Sequence, residues 1–228
     1  MLGLPGVTSG GLVIPYPHID PKYVRVRMDR SDGRAKFLAP QGRGAPVYDA
    51  VTATGAEADG PLVICEGPVK ALALVSAGIR AAGLGGAETG LDKERKLDHS
   101  FSFLEFRSRE VLLLPDADIV DNYGVMRGQA RLAAAILRGG TDLAVRLARL
   151  PGPGKQGPDD FLADHGAERL GEVIAGARPV RPREFAANLG DIGKEERTSE
   201  ITRLLDDKFF FVSLIVWGEP EIQVVRHL

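Results

Sequence analysis

Two carboxylates one residue apart, Asp116 and Asp118, stand just behind the apolar run Val111-Leu112-Leu113-Leu114. A short, continuous apolar run reads as a buried strand of the parallel type. Open parallel sheets bind their ligands beyond the carboxyl ends of the strands. The spacing therefore puts both acids at a functional edge. If the chain stays extended through Pro115, residues two apart point the same way, and both carboxylates can face one cation. Hard oxygen ligands of this kind suit Mg²⁺ or Mn²⁺, with phosphate oxygens completing the shell. The plainer alternative is that one acid caps the next helix and the other is solvated.

The pair has company. Leu62-Val63-Ile64-Cys65-Glu66-Gly67 is another apolar strand ending on a carboxylate, followed by a helical stretch over 68–78. The stretch Lys155-Gln156-Gly157-Pro158-Asp159-Asp160-Phe161-Leu162 adds two more acids behind an apolar segment. Glu66, Asp116, Asp118, Asp159 and Asp160 are all expected at one sheet edge. Clustered carboxylates repel one another, and a divalent ion is the usual remedy.

These residues resemble the Toprim domain, the metal-binding catalytic module of DnaG-type primases, topoisomerases and some nucleases. Glu66-Gly67 matches its first motif and Asp116-x-Asp118 its second. More narrowly, Glu66-Gly67 followed by Lys70-Ala71, with the closing stretch 155–162, looks like the Toprim region of plasmid and phage primase-helicases. The resemblance covers roughly residues 61–166. It implies Glu66, Asp116 and Asp118 as catalytic acids. Those three, with Asp159 and Asp160, become the metal ligands for Mg²⁺ or Mn²⁺. Arg25, Arg27, Lys36, Lys70 and Lys155 become nucleotide- or DNA-contacting cations. Two positions depart from the pattern. DnaG-type primases commonly carry Asp-Pro-Asp in the third motif, and here its first position is Gly157, with Asp160 nearby to compensate. Topoisomerases favour an acid where Val120 stands, and with four tyrosines no strand-cleaving tyrosine domain is evident.

The elements that must position these groups follow from patterning. Residues 1–60 read as a β-rich subdomain. Tyr23-Val24-Arg25-Val26-Arg27-Met28 alternates at period two, Asp32-Gly33 signals a turn, and Lys36 is expected across the hairpin from Arg25 and Arg27. Such a segment resembles the small subdomain before the primase Toprim core. Residues 61–176 alternate strand and helix, the pattern of a parallel α/β sheet with right-handed crossovers. The expectation is a four-stranded, mostly parallel Toprim-like sheet with flanking helices. Residues 91–106 are expected helical, Asp121 is expected to cap the helix over 124–138, and the glycines at 83–86 form a tight turn. Residues 177–228 read as a proline-basic connector, a charged helix and a β-hairpin containing Phe209-Phe210-Phe211 and Trp217. That tail is too apolar to stand in water; it packs on the core, on a second copy or on a partner, and is expected to be a docking element.

Composition bounds the rest. A hydrophobic fraction of 44% is that of a globular chain, and a net charge of −2 gives no global field for nucleic acid. The lone Cys65 can form neither an intrachain disulfide nor a zinc site by itself. With no leader pattern at residues 1–11 and no run near the ~20 apolar residues of a membrane span, the expected setting is cytoplasmic. The function expected is a primase-type nucleotidyltransferase acting on single-stranded DNA and nucleoside triphosphates, partnered by a helicase domain or protein. It would serve plasmid or phage replication, with a homodimer through the tail as an option. The alternatives are a Toprim nuclease and a non-catalytic module that binds DNA or docks a helicase.

Overall fold

The computed structural model describes residues 10–29, 35–86, 89–106, 109–139, 143–152 and 154–180. The Asp32-Gly33 turn and the tail beyond 180 lie outside them.

Strands β1 (Gly11–Pro15), β2 (Val24–Met28) and β3 (Phe37–Leu38) form an antiparallel three-stranded sheet. A second sheet begins at β4 (Tyr48–Asp49), which runs into the short helix α1 (Ala50–Thr54). Asp49 caps that helix, its carboxylate accepting from the N–H groups of Val51 and Thr52. The alternating part follows: β5 (Leu62–Glu66), α2 (Pro68–Ser76), β6 (Ala81–Leu84), β7 (Glu110–Leu114), α3 (Tyr123–Gly139), β8 (Ala144–Leu147), α4 (Pro158–Ala175) and β9 (Arg178–Pro179). The sheet order is β4-β6-β5-β7-β8-β9. Its four central strands are mutually parallel, and the short edge strands β4 and β9 are antiparallel to their neighbours.

The expected sheet of four strands is thus extended to six. Two-residue edge strands carry too little pattern to be read from sequence. Both lie outside the expected range 61–176 and hydrogen-bond into the larger sheet from either side of it.

Both faces of the parallel strands are buried, which is why β5 and β7 read as unbroken apolar runs. One face packs Ile64, Leu113 and Val145 against α3 through Met126, Ala133 and Ile136. The other packs Val63, Cys65, Leu112 and Leu114 against Leu74 of α2 and Phe161 of α4, and continues to Tyr16 and Tyr23 of the small sheet. Gly83 in β6 is required by close approach, since a Cβ there would lie 2.5 Å from the carbonyl oxygen of Gly67. That contact lets the start of α2 press onto the sheet.

The helix expected over 91–106 does not form. Asp92 uses its carboxylate to accept from the N–H groups of Glu94 and Lys96, Leu91 bridges Leu97, and only the 3-10 turn His99–Phe103 follows. Local carboxylate-to-backbone bonds compete directly with helix, and here they win. Conversely, α4 carries little helical periodicity and is broken at Gly166, whose backbone is non-helical.

Candidate active site at the carboxyl edge

Glu66 is the last residue of β5, and Asp116 lies just beyond the end of the adjacent parallel strand β7. The two acids therefore leave neighbouring strands on the same edge. Asp116 is buried at 2% exposure, while Glu66 and Asp118 are half-buried. Asp118 does not continue an extended strand, because Ala117–Val120 turns into a 3-10 helix. The Asp pair is held by that turn rather than by strand alternation. Asn122 donates its amide to Asp118 Oδ2 at 3.2 Å, and Asn122 Oδ1, not Asp121, accepts from the Val125 N–H at the start of α3.

The third acidic stretch is tied in by backbone. The N–H of Ala117 donates to the carbonyl of Gln156 at 2.9 Å, bringing the loop before α4 against the Asp pair. Asp159 then lies in the first turn of α4, half-buried, whereas Asp160 is exposed and accepts from the Gly157 N–H at 3.1 Å. Asp160 is a helix cap, so it does not replace the acid missing at 157. Lys155 is exposed in the same loop, close enough for its charge to favour ionised Glu66 and Asp116.

Electrostatics marks this edge. Burial, and then the charge of Asp116, raise the pKa of Glu66 above the usual carboxylate range. Burial likewise raises that of Asp116, opposed by its hydrogen bond from Lys70. Desolvation pushes the Cys65 thiol far up, so it stays protonated and serves as core. The Lys70 ammonium donates to Asp116 Oδ1, a contact that sequence spacing did not reveal.

The donor set suits a hard cation. Oδ1 of Asp118 and Oδ1 of Asp159 are buried with no protein hydrogen-bond partner. No group of three or more acids, histidines or cysteines closes into ligating range among the described residues. That is compatible with Mg²⁺, which takes one or two carboxylates and leaves the remaining positions to water and phosphate oxygens.

The basic residues of the small sheet divide. Arg25 is buried at 6% exposure, its guanidinium 4.9 Å from the centre of the Phe37 ring and against Gly85. Arg27 is half-buried and Lys36 is exposed. The register Arg27↔Phe37 puts Phe37, not Lys36, opposite Arg27, so the expected three-cation face is not formed. In the tight turn after β6, the Gly86 N–H is taken by Thr89 Oγ1 at 3.0 Å.

Known structures share this fold. The Aquifex aeolicus primase zinc-binding and RNA polymerase domains match with TM-score 0.53 and 22% identity over 78% of this chain and 45% of that one. A DnaG catalytic core matches with TM-score 0.53 and 18% identity, covering 87% of this chain and 64% of its own length. A DnaG primase catalytic domain bound to single-stranded DNA matches with TM-score 0.52 and 20% identity, over 74% and 51%. The chain thus spans about half to two thirds of these proteins, and at such identities the likeness is one of fold. No curated protein matches in sequence. No helix among the described residues is long and apolar enough to cross a membrane. A family model does match residues 54–169, just over half of the 228 residues, and on that span the chain belongs to the family described as a domain of unknown function, DUF3854.

Proposed function

We propose that this chain is the catalytic core of a Toprim primase, a metal-dependent nucleotidyltransferase that makes short primers on single-stranded DNA in plasmid or phage replication. The observation that supports this reading is the placement of Glu66 and Asp116 at the same ends of the adjacent parallel strands β5 and β7, with the loop before α4 tied to Ala117 beside them. The fold around them is that of primase catalytic cores. Of Glu66, Asp116, Asp118 and Asp159, one or two carboxylates at a time would hold Mg²⁺ or Mn²⁺, with water and phosphate oxygens completing the shell. When bound, the ion activates the attacking 3′-hydroxyl and offsets charge on the triphosphate. Lys155, exposed beside the acids, orients the triphosphate. Arg27 and Lys36 carry the template strand as separate contacts, and Arg25 supports the turn at Gly85 from within. Residues 184–228 are assigned to docking a helicase domain or a second copy.

One observation favours a second reading. The Lys70–Asp116 ion pair neutralises part of the edge without any metal, as a non-catalytic DNA-binding or helicase-docking module would need. A template-directed assay with labelled nucleotides and Mg²⁺ or Mn²⁺ separates the readings. Oligonucleotides made de novo support the primase. Cut template supports a Toprim nuclease, and neither product supports the module.

A further inference from the structure

Gly157 is not a glycine for the sake of its backbone. Its φ of −88° and ψ of 168° are extended values that any residue adopts. The restriction is spatial. A Cβ at 157 would lie 2.6 Å from Cε and 3.0 Å from Nζ of Lys70, and 2.5 Å from Asp159 Oδ1. The lysine stem and the Asp159 carboxylate together fill the volume that a side chain at 157 would take. Lys70 reaches this place from the first turn of α2, with its side chain only 19% exposed, and donates to Asp116, whose side chain is 3% exposed. The ammonium is therefore inside the acidic cluster, on Asp116, and not at its rim.

An ammonium so placed does what a cation does there. It balances buried carboxylates that would otherwise repel one another, and it donates a hydrogen bond to Asp116. It also excludes another cation from the same volume, since two positive charges in one low-dielectric site repel strongly. The position where the resembled third motif commonly has its first acid is the position emptied for the lysine. A carboxylate is absent and an ammonium is present, a combined charge change as large as a divalent ion brings. What remains for a metal is Glu66 with Asp118 and Asp159, whose Oδ1 atoms have no protein partner.

We infer that Lys70 is a resident cation occupying the Asp116 side of the acidic edge, with Gly157 making room for it, so that the site takes one divalent ion and not two. The inference rests on the proposed metal edge and decides the number of ions it holds. Lys70 is then a positioning residue for the carboxylates as well as a fixed charge, rather than a nucleotide contact.

The test counts bound Mn²⁺ on the full chain by electron paramagnetic resonance of the free ion. The wild type is expected to bind one ion. Lys70→Ala is expected to bind a second, while Lys155→Met, which removes a like charge from the same edge, keeps the count at one with altered affinity. Two ions on the wild type, no second ion on Lys70→Ala, or a second ion on Lys155→Met would each overturn the inference. No Mn²⁺ on any variant would overturn the metal edge itself. A metal-free measurement tests the packing separately. Gly157→Ala is expected to lower the melting temperature by several degrees in the wild type and by less in the Lys70→Ala background, where only Asp159 still meets the added methyl. Equal losses in both backgrounds would show that the lysine stem does not occupy this space.

Discussion

Glu66 and Asp116 share a buried edge whose charge the fold only partly offsets, and this fixes how the protein should respond to pH and to metal. Both pKa values are raised, first by burial. The folded state therefore holds these protons more tightly than the unfolded chain does. Their contribution to stability is full below the unfolded values of about 4 and is lost as pH rises through the raised folded values. Glu66→Gln removes one such group. Without metal, the variant's melting temperature is expected to gain on the wild type as pH climbs from about 4 towards neutrality. A gap that stays constant across that range would contradict the assignment. Divalent ions bind the folded state and should raise the wild-type melting temperature. Asp116→Asn combined with Asp118→Asn should abolish that rise, and a double variant that still responds to Mn²⁺ like the wild type would place the metal elsewhere. The acids themselves were legible in sequence because each follows an apolar run. Lys70 on Asp116 was not, since the pair is 46 residues apart and no spacing rule reports such a contact.

At the scale of elements, the site depends on α2 starting close to the sheet and on the loop before α4 closing over the Asp pair. Gly83→Ala would set a Cβ against the Gly67 backbone, which cannot yield as a flexible side chain could. Overpacking of this kind costs about 1–3 kcal/mol, and urea unfolding should show it. An unchanged midpoint would mean that α2 can retreat. β5 and β7 were readable because fully buried parallel strands are continuously apolar. The region after Gly90 was not, because Asp92 bonds the backbone locally where a helix was expected. Arg25 and Arg27 looked equivalent from their alternation, and burial separates them. Charge reversal at Arg27 should weaken single-stranded DNA binding and flatten its salt dependence. The same change at Arg25 should instead destabilise the fold, because it places an acid in the buried site beneath Phe37. Equal effects of the two substitutions on binding, with stability intact, would return both arginines to one exposed face.

At the scale of the molecule, a six-stranded sheet with helices on both faces carries the acidic edge, and the small antiparallel sheet packs beside it through Tyr16 and Tyr23. Tyr48 and Ala50 belong to the same core cluster, so residues before 60 are part of the body that holds the site. The six-strand count escaped the sequence because β4 and β9 are two residues each. Removing residues 184–228 is expected to leave the Mn²⁺-induced rise in melting temperature intact and to change assembly state or solubility, as sedimentation would read. Loss of metal response on deletion would join the tail to the core.

The most direct measurement of the central claim is primer synthesis on a single-stranded DNA template, comparing the wild type with Glu66→Gln at equal folded concentration. The wild type should build labelled oligonucleotides from nucleoside triphosphates when Mg²⁺ or Mn²⁺ is present. The variant should lose at least about a hundredfold in rate, the scale on which removing an electrostatic catalytic group acts. Equal synthesis by both proteins, or none by either, would contradict a catalytic edge built on Glu66.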